Sequence, residues 1–178
     1  RSIGDQPGLA QAQRCQALHH WRCGEGFSAI PLLEGALDHH EKSHDHHAQG
    51  SVLNILGCVH RDLAQRNRAE HCFERAVTIA RSMELRSLES LVLNNLAELY
   101  RDCGHTDRCI RLYREALSIA RDVGNPTSEA AALANLGDLF LSCNRIADSI
   151  SHLNAAIRIA DAPKPTIAAT YKGMLAVC

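Results

Sequence analysis

The stretch 91–120, LVLNNLAELYRDCGHTDRCIRLYREALSIA, decides the fold. Leu93, Leu96, Ala97 and Tyr100 fall at i, i+3, i+4 and i+7, the spacing that places four side chains on one face of a 3.6-residue helix. Gly104 is a stop, and Thr106 or Asp107 is expected to cap a second helix. In that second helix Cys109, Leu112, Tyr113, Ala116 and Ile119 repeat the apolar spacing while Arg108, Arg111, Glu115 and Ser118 point the other way. The unit predicted is an amphipathic helical hairpin.

A hairpin this small cannot bury its apolar face alone, so neighbours must cover it. The chain supplies them at a fixed step of 40 residues. That step links Leu56, Leu96 and Leu136; Gly57, Ala97 and Gly137; Phe73, Tyr113 and Leu153; and Ala76, Ala116 and Ala156. Backwards it reaches Ala17, Leu33 and Ala36, and forwards Ala176 and Val177. Small residues at Gly57, Ala97 and Gly137 let paired helices approach closely, which sets the rotation from one copy to the next.

These residues resemble the tetratricopeptide repeats. The clearest copies are Leu93-x-x-Leu96-Ala97-x-x-Tyr100 with Cys109-x-x-x-Tyr113 and Ala116, and Leu133-x-x-Leu136-Gly137-x-x-Phe140 with Ser149-x-x-x-Leu153 and Ala156. Leu53, Leu93 or Leu133 stands where the first aromatic is usual, the terminal proline is absent, and His20 and His60 replace the later aromatic. The period exceeds the usual ~34 residues, so the resemblance is to the longer-helix arrays of large bacterial transcription activators and kinesin light chains. It implies an all-α, right-handed α-solenoid of about four helix-turn-helix repeats plus a terminal helix.

On that reading the repeats run 9–46, 47–86, 87–126 and 127–166, with 1–8 ending a preceding repeat and 167–178 forming the first helix of a fifth. Both ends cut the repeat, so a fragment of a longer array is expected. The first hairpin (9–23 and 27–41) is the weakest copy, with Gln13 and Gln16 in the slots of Leu53 and Leu56. The second (47–62 and 67–82) carries Asn67 and Glu70, spaced like a capping box. The fourth (127–142 and 146–161) opens on Asn125-Pro126, a cap followed by proline in the first turn.

Composition narrows the function. The formal net charge of -1 supplies no basic surface for nucleic acid or anionic lipid. No run approaches the roughly 18 apolar residues of a membrane span, and the expectation is a soluble, cytoplasmic protein. The eight cysteines fall in helical columns: Cys23, Cys103 and Cys143 share one slot, and stacked helices about 8 to 10 Å apart exceed the ~7 Å Cα limit of a disulfide. Reduced thiols are expected. Without a Gly-rich phosphate loop, a nucleophile elbow or an HExxH motif, neither catalysis nor a cofactor is indicated.

Two features remain for recognition. Each first helix carries two apolar stripes, so it is expected between second helices on both sides with one narrow face free. In the family this face lines a concave groove that takes a protein or peptide. The matching positions are Arg14, Trp21, Asn54, Arg61, Asn94, Asn95, Glu98, Arg101, Asn135 and Asp138. Asparagine offers a bound backbone both donors and an acceptor, and Arg61 and Arg101 suit acidic side chains; alternatively these groups are solvated or bond neighbouring helices. The family's lysine-rich carboxylate clamp is missing, since no lysine lies between Lys42 and Lys164. The second feature is Asp38–His47, where His40, His44, His46 and His47 are metal candidates and a solvated, pH-responsive loop is the alternative. Self-association through the incomplete ends is a further possible partnership, involving Met174, Leu175 and Val177.

Overall fold

Eight helices follow one another in the computed structural model, which describes residues 6–161: α1 (Gln6–Arg22), α2 (Gly26–Lys42), α3 (His46–Asp62), α4 (Arg66–Ser82), α5 (Arg86–Asp102), α6 (Thr106–Asp122), α7 (Pro126–Ser142) and α8 (Ile146–Ala160). There is no strand among these residues. The opening residues 1–5 and the expected fifth-hairpin helix, 167–178, lie outside the described residues. α1 starts at Gln6, ahead of the repeat start expected at residue 9.

Every junction is the same three-residue turn, whether it lies inside a hairpin or between two. The middle residue has positive φ in each: Gly24, His44, Ala64, Glu84, Gly104, Gly124 and Asn144. The amide after it reaches back five residues, as from His105 to the Tyr100 carbonyl at 2.9 Å, while the Gly104 amide bonds Arg101 at 2.9 Å. This double bond pattern is the Schellman motif, which satisfies the last carbonyls of a helix. The backbone therefore repeats every 20 residues and only the side chains repeat every 40.

The start signals are less reliable. Asn125 caps α7 as expected, its side chain accepting from the Ser128 amide at 3.1 Å, and Asp45 does the same for Ala48 at 3.0 Å. Thr106 and Asp107 do not cap α6; His105 holds that position, without a side-chain cap bond. Asn67 likewise lies inside α4, whose cap position is Gln65, so Asn67 and Glu70 form no capping box. Five helices, α2, α4, α5, α6 and α8, start after the Schellman turn with no side-chain cap bond.

Each helix packs on the next, and α3, α5 and α7 each lie between two second helices. A small residue on the first helix faces a large one on the second. A Cβ on Gly57 would come within 2.5 Å of the Phe73 ring, and one on Gly137 within 2.7 Å of Leu153. Phe73 and Tyr113 are fully buried in this slot, each contributing on the order of 1.5 to 3 kcal/mol of apolar burial. The core is not one continuous mass. Two clusters of buried side chains meet in the third hairpin, where half-buried Leu112 packs against both.

The two rows of helices differ in how closely they approach. First helices approach one another directly, α3 to α5 and α5 to α7. Second helices are instead tied by long side chains: Arg75 of α4 to Glu41 of α2 at 2.8 Å, and Arg81 of α4 to Glu115 of α6 at 2.6 Å. The concave side is thus the side of the first helices.

Candidate functional site

On the concave side the asparagines form a ladder. Asn95 Nδ2 donates to Asn54 Oδ1 at 2.8 Å, and one step on Asn135 Nδ2 donates to Asn94 Oδ1 at 3.2 Å and to Glu98 Oε1 at 3.1 Å. The asparagine pairs are 41 residues apart because adjacent first helices meet with an offset of one residue beyond the repeat. Asn54 and Asn94 are only 8% and 9% exposed. Of the two alternatives the sequence left open, these side chains bond neighbouring helices, since at this depth an unpaired amide is costly.

Arg61 extends the ladder. Its guanidinium bonds Glu98 on α5 and Asp62 beside it, the latter at 3.3 Å, and Asp62 in turn accepts from Trp21 Nε1 on α1 at 2.8 Å. Burial disfavours the Arg61 charge, but Glu98, Cys58 and Asp62 together outweigh it and raise its pKa. A chain of contacts therefore runs Trp21, Asp62, Arg61, Glu98, Asn135, Asn94 across four hairpins.

One repeat further on the corresponding pair is open. Arg101 and Asp138 occupy the slots of Arg61 and Glu98, yet neither makes a hydrogen bond or ion pair among the described residues. Aspartate is one methylene shorter than glutamate. Leu141, 53% exposed, lies beside them on the same face. Arg14, at the other end, holds the slot of Asn54, and its Nε is buried without a partner. The ten sequence-predicted groove residues thus share one face: seven are joined in the ladder, Arg101 and Asp138 are open, and Arg14 stands apart.

The histidine-rich segment does not assemble. α2 ends at Lys42 and His44 is the positive-φ residue of the turn, so His40 and His44 do not share a helical face. His40 is turned inward, where burial is the largest influence lowering its pKa. His44 and His46 are neighbours with ring centroids 6.5 Å apart. Among the described residues no group of three or more His, Cys, Asp or Glu side chains stands close enough to hold a metal ion.

The described cysteines are free thiols. Burial pushes Cys58 up to about 12 and Cys109 up to about 11, so neither supplies a thiolate near neutral pH. No helix among the described residues is long and apolar enough to cross a membrane.

Sequence reasoning missed what happens on the opposite side of the first helices. Tyr100 donates its hydroxyl to Glu70 while the Arg108 guanidinium lies 3.9 Å from the ring centroid. The signal was present in the 40-residue columns, which hold His20, His60, Tyr100 and Phe140 in one slot, but it only says that the slot varies.

The family model described as "Tetratricopeptide repeat" matches residues 8–82 and 88–162. No curated protein sequence matches significantly. Among solved structures, BtubC (BKLC) from P. vanneervenii is similar at TM-score 0.76 and 21% identity, over 93% of this chain and 70% of that one. Aspartyl phosphate phosphatase F from Bacillus subtilis reaches TM-score 0.82 at 11% identity, over 89% of this chain but 42% of its own. A putative kinesin light chain from Podosopora anserina, with nearly identical TPR-like repeats, gives TM-score 0.71 at 16% identity, covering 92% and 80%. At these identities the likeness is one of fold. With the family model matched along most of its length, this chain belongs to the tetratricopeptide repeat family.

Proposed function

We propose that the chain is a non-catalytic scaffold that captures a protein or peptide segment along the concave face of α1, α3, α5 and α7, as the sensory or interaction module of a larger cytoplasmic regulator. The observation that carries this reading is the open pair, Arg101 and Asp138, beside exposed Leu141. A cation, an anion and an apolar side chain without internal partners make a site for a segment of matching pattern, with an acidic side chain at Arg101. The ladder beneath them holds the face rigid, so little ordering opposes binding.

Panning a random peptide library on the 178-residue chain tests this. Selected peptides should lose at least tenfold in affinity on Arg101→Ala or Asp138→Ala and be indifferent to Arg114→Ala on the outer helix α6. Peptides that ignore both concave variants would overturn the reading. Asn95→Ala strands the buried Asn54 oxygen and should lower stability by about 1 kcal/mol, so it is a poor probe of binding.

A second reading, self-association, is favoured by the row Ile146, Ile150 and Ile157 on α8, exposed at 47%, 55% and 56%. The slot of Ile157 is held on α6 by Leu117, which α7 helps to cover to 8%. Light scattering that finds a monomer at all concentrations would remove it. Met174, Leu175 and Val177, the end residues that the sequence offers for such contacts, lie outside the described residues.

A further inference from the structure

The varying slot behind the first helices has consequences of its own. In the third hairpin it holds the Tyr100 ring, 3% exposed, roofed by Arg108 and flanked by Leu112. In the fourth it holds Phe140, with the Arg145 guanidinium 4.3 Å from the ring centroid and His152 at 5.1 Å. Twice, then, the chain places an aromatic ring under an arginine at this site.

The second hairpin keeps the arginine and lacks the ring. His60 stands in the slot of Tyr100 and turns its Nδ1 toward Gln65 at 2.8 Å, and Cys72 replaces Leu112. Both are the smaller side chains of their columns, and both line one cleft. It measures about 390 Å³ and lies between α2 and α4, floored by Leu53 and Leu56 of α3 and walled by Leu37 and Cys72. That size is within the roughly 300 to 1,000 Å³ of small-molecule sites. Arg68 holds the slot of Arg108, but it has no ring to cover and reaches only the neutral Gln65 side chain, at 3.3 Å. Arg75 and His71 share the rim, facing Glu34, and Arg75 is tied to Glu41 at 2.8 Å. The Cys72 thiol is held protonated by burial, so it is a wall and not a nucleophile.

We propose that this cleft binds a small aryl carboxylate, its ring lying against His60 and Cys72 beneath Arg68. Arg68 closes over the ring face as Arg108 closes over Tyr100, and the carboxylate lies at the rim toward Arg68 and Arg75. The attraction of a guanidinium for a ring face and for a carboxylate supplies the selectivity, and the leucine floor supplies the apolar contact. The site is distinct from the concave face, since Leu53, Leu56 and His60 project from the side of α3 away from Asn54 and Arg61.

Titration of the 178-residue chain with 3-phenylpropionate, followed through the methyl resonances of Leu37, Leu53 and Leu56, tests the assignment. A saturable shift of those methyls is expected in the native chain. Cys72→Leu, which rebuilds the wall of the third hairpin, should weaken binding at least tenfold, and so should His60→Tyr combined with it. Arg68→Gln should weaken it several-fold, and 2-phenylethylamine, with the charge reversed, should bind at least tenfold less well than the acid. Absence of a saturable shift, equal binding by the folded Cys72→Leu protein, or equal binding of the amine would each overturn the proposal.

Discussion

The second and third hairpins, α3–α4 and α5–α6, share a backbone and differ in how one side-chain slot is filled. Beside Leu96 stand Tyr100, Arg108 and Leu112; beside Leu56 stand His60, Arg68 and Cys72, which line the cleft. The lesson is that a repeat keeps its geometry through a few small-to-large contacts, such as Gly57 on Phe73, and leaves the remaining slots free to vary. The contacts that hold the repeat and the slots that vary then sit in different columns.

The sharpest way to break that comparison is to cut the same leucine from both hairpins. Both leucines are buried, at 6% and 3% exposure; Leu96→Ala should cost about 3 to 4 kcal/mol by leaving a cavity, and Leu56→Ala about 2 kcal/mol, because the cleft beside it gives the neighbouring side chains room to relax. Equal losses in urea melts would show that the cleft does not relieve the packing defect. Next, Tyr100→His should turn the third hairpin toward the second, losing the bond to Glu70 and the contact with Arg108 at a cost of about 2 kcal/mol. A melting temperature unchanged by that substitution would remove the energetic role given to the ring.

The turns of the two hairpins give a smaller test with opposite signs. Ala64 and Gly104 both sit at positive φ, 56° and 77°, in otherwise alike turns. Ala64→Gly should stabilise by up to about 1 kcal/mol and Gly104→Ala should destabilise by about as much, since only glycine adopts this region without strain. Two shifts of the same sign would contradict the shared geometry. The smallest effect concerns His40, in the slot that Ala80 and Ala120 fill downstream. Burial lowers its pKa from 6.5, with His39 and Arg14 pushing the same way and Asp45 opposing. Its neutral form is the one the fold favours, so its contribution is complete above about pH 6.5 and falls as acid protonates it. Native protein should lose more melting temperature between about pH 7.5 and about pH 5.5 than His40→Ala does; equal losses would exclude this histidine.

Much of the fold was legible because burial imposes a period. Leu56, Leu96 and Leu136 cannot recur every 40 residues on one helix face without a stack to receive them, and the Gly57, Ala97, Gly137 column announced the close approach to Phe73, Tyr113 and Leu153. The 20-residue backbone step was not legible, because four of the seven turns place His44, Ala64, Glu84 or Asn144 where glycine would have been the signal. The expectation of a groove face rested on helical register alone, whereas the pairing of Asn54 with Asn95 depends on how far one first helix slides against the next. A one-residue offset between helices leaves no trace in either helix alone. The cleft was hidden for a related reason: its lining is drawn from three helices, α2, α3 and α4.

The two ties between second helices run in opposite senses, Glu41 to Arg75 and then Arg81 to Glu115. A folding chain built of near-copies can misassemble by omitting one hairpin and docking its neighbours together. Here that error would set Glu41 against Glu115, anion on anion. Each tie alone is a weak surface contact, so the clash would disfavour that misassembly by a correspondingly small amount.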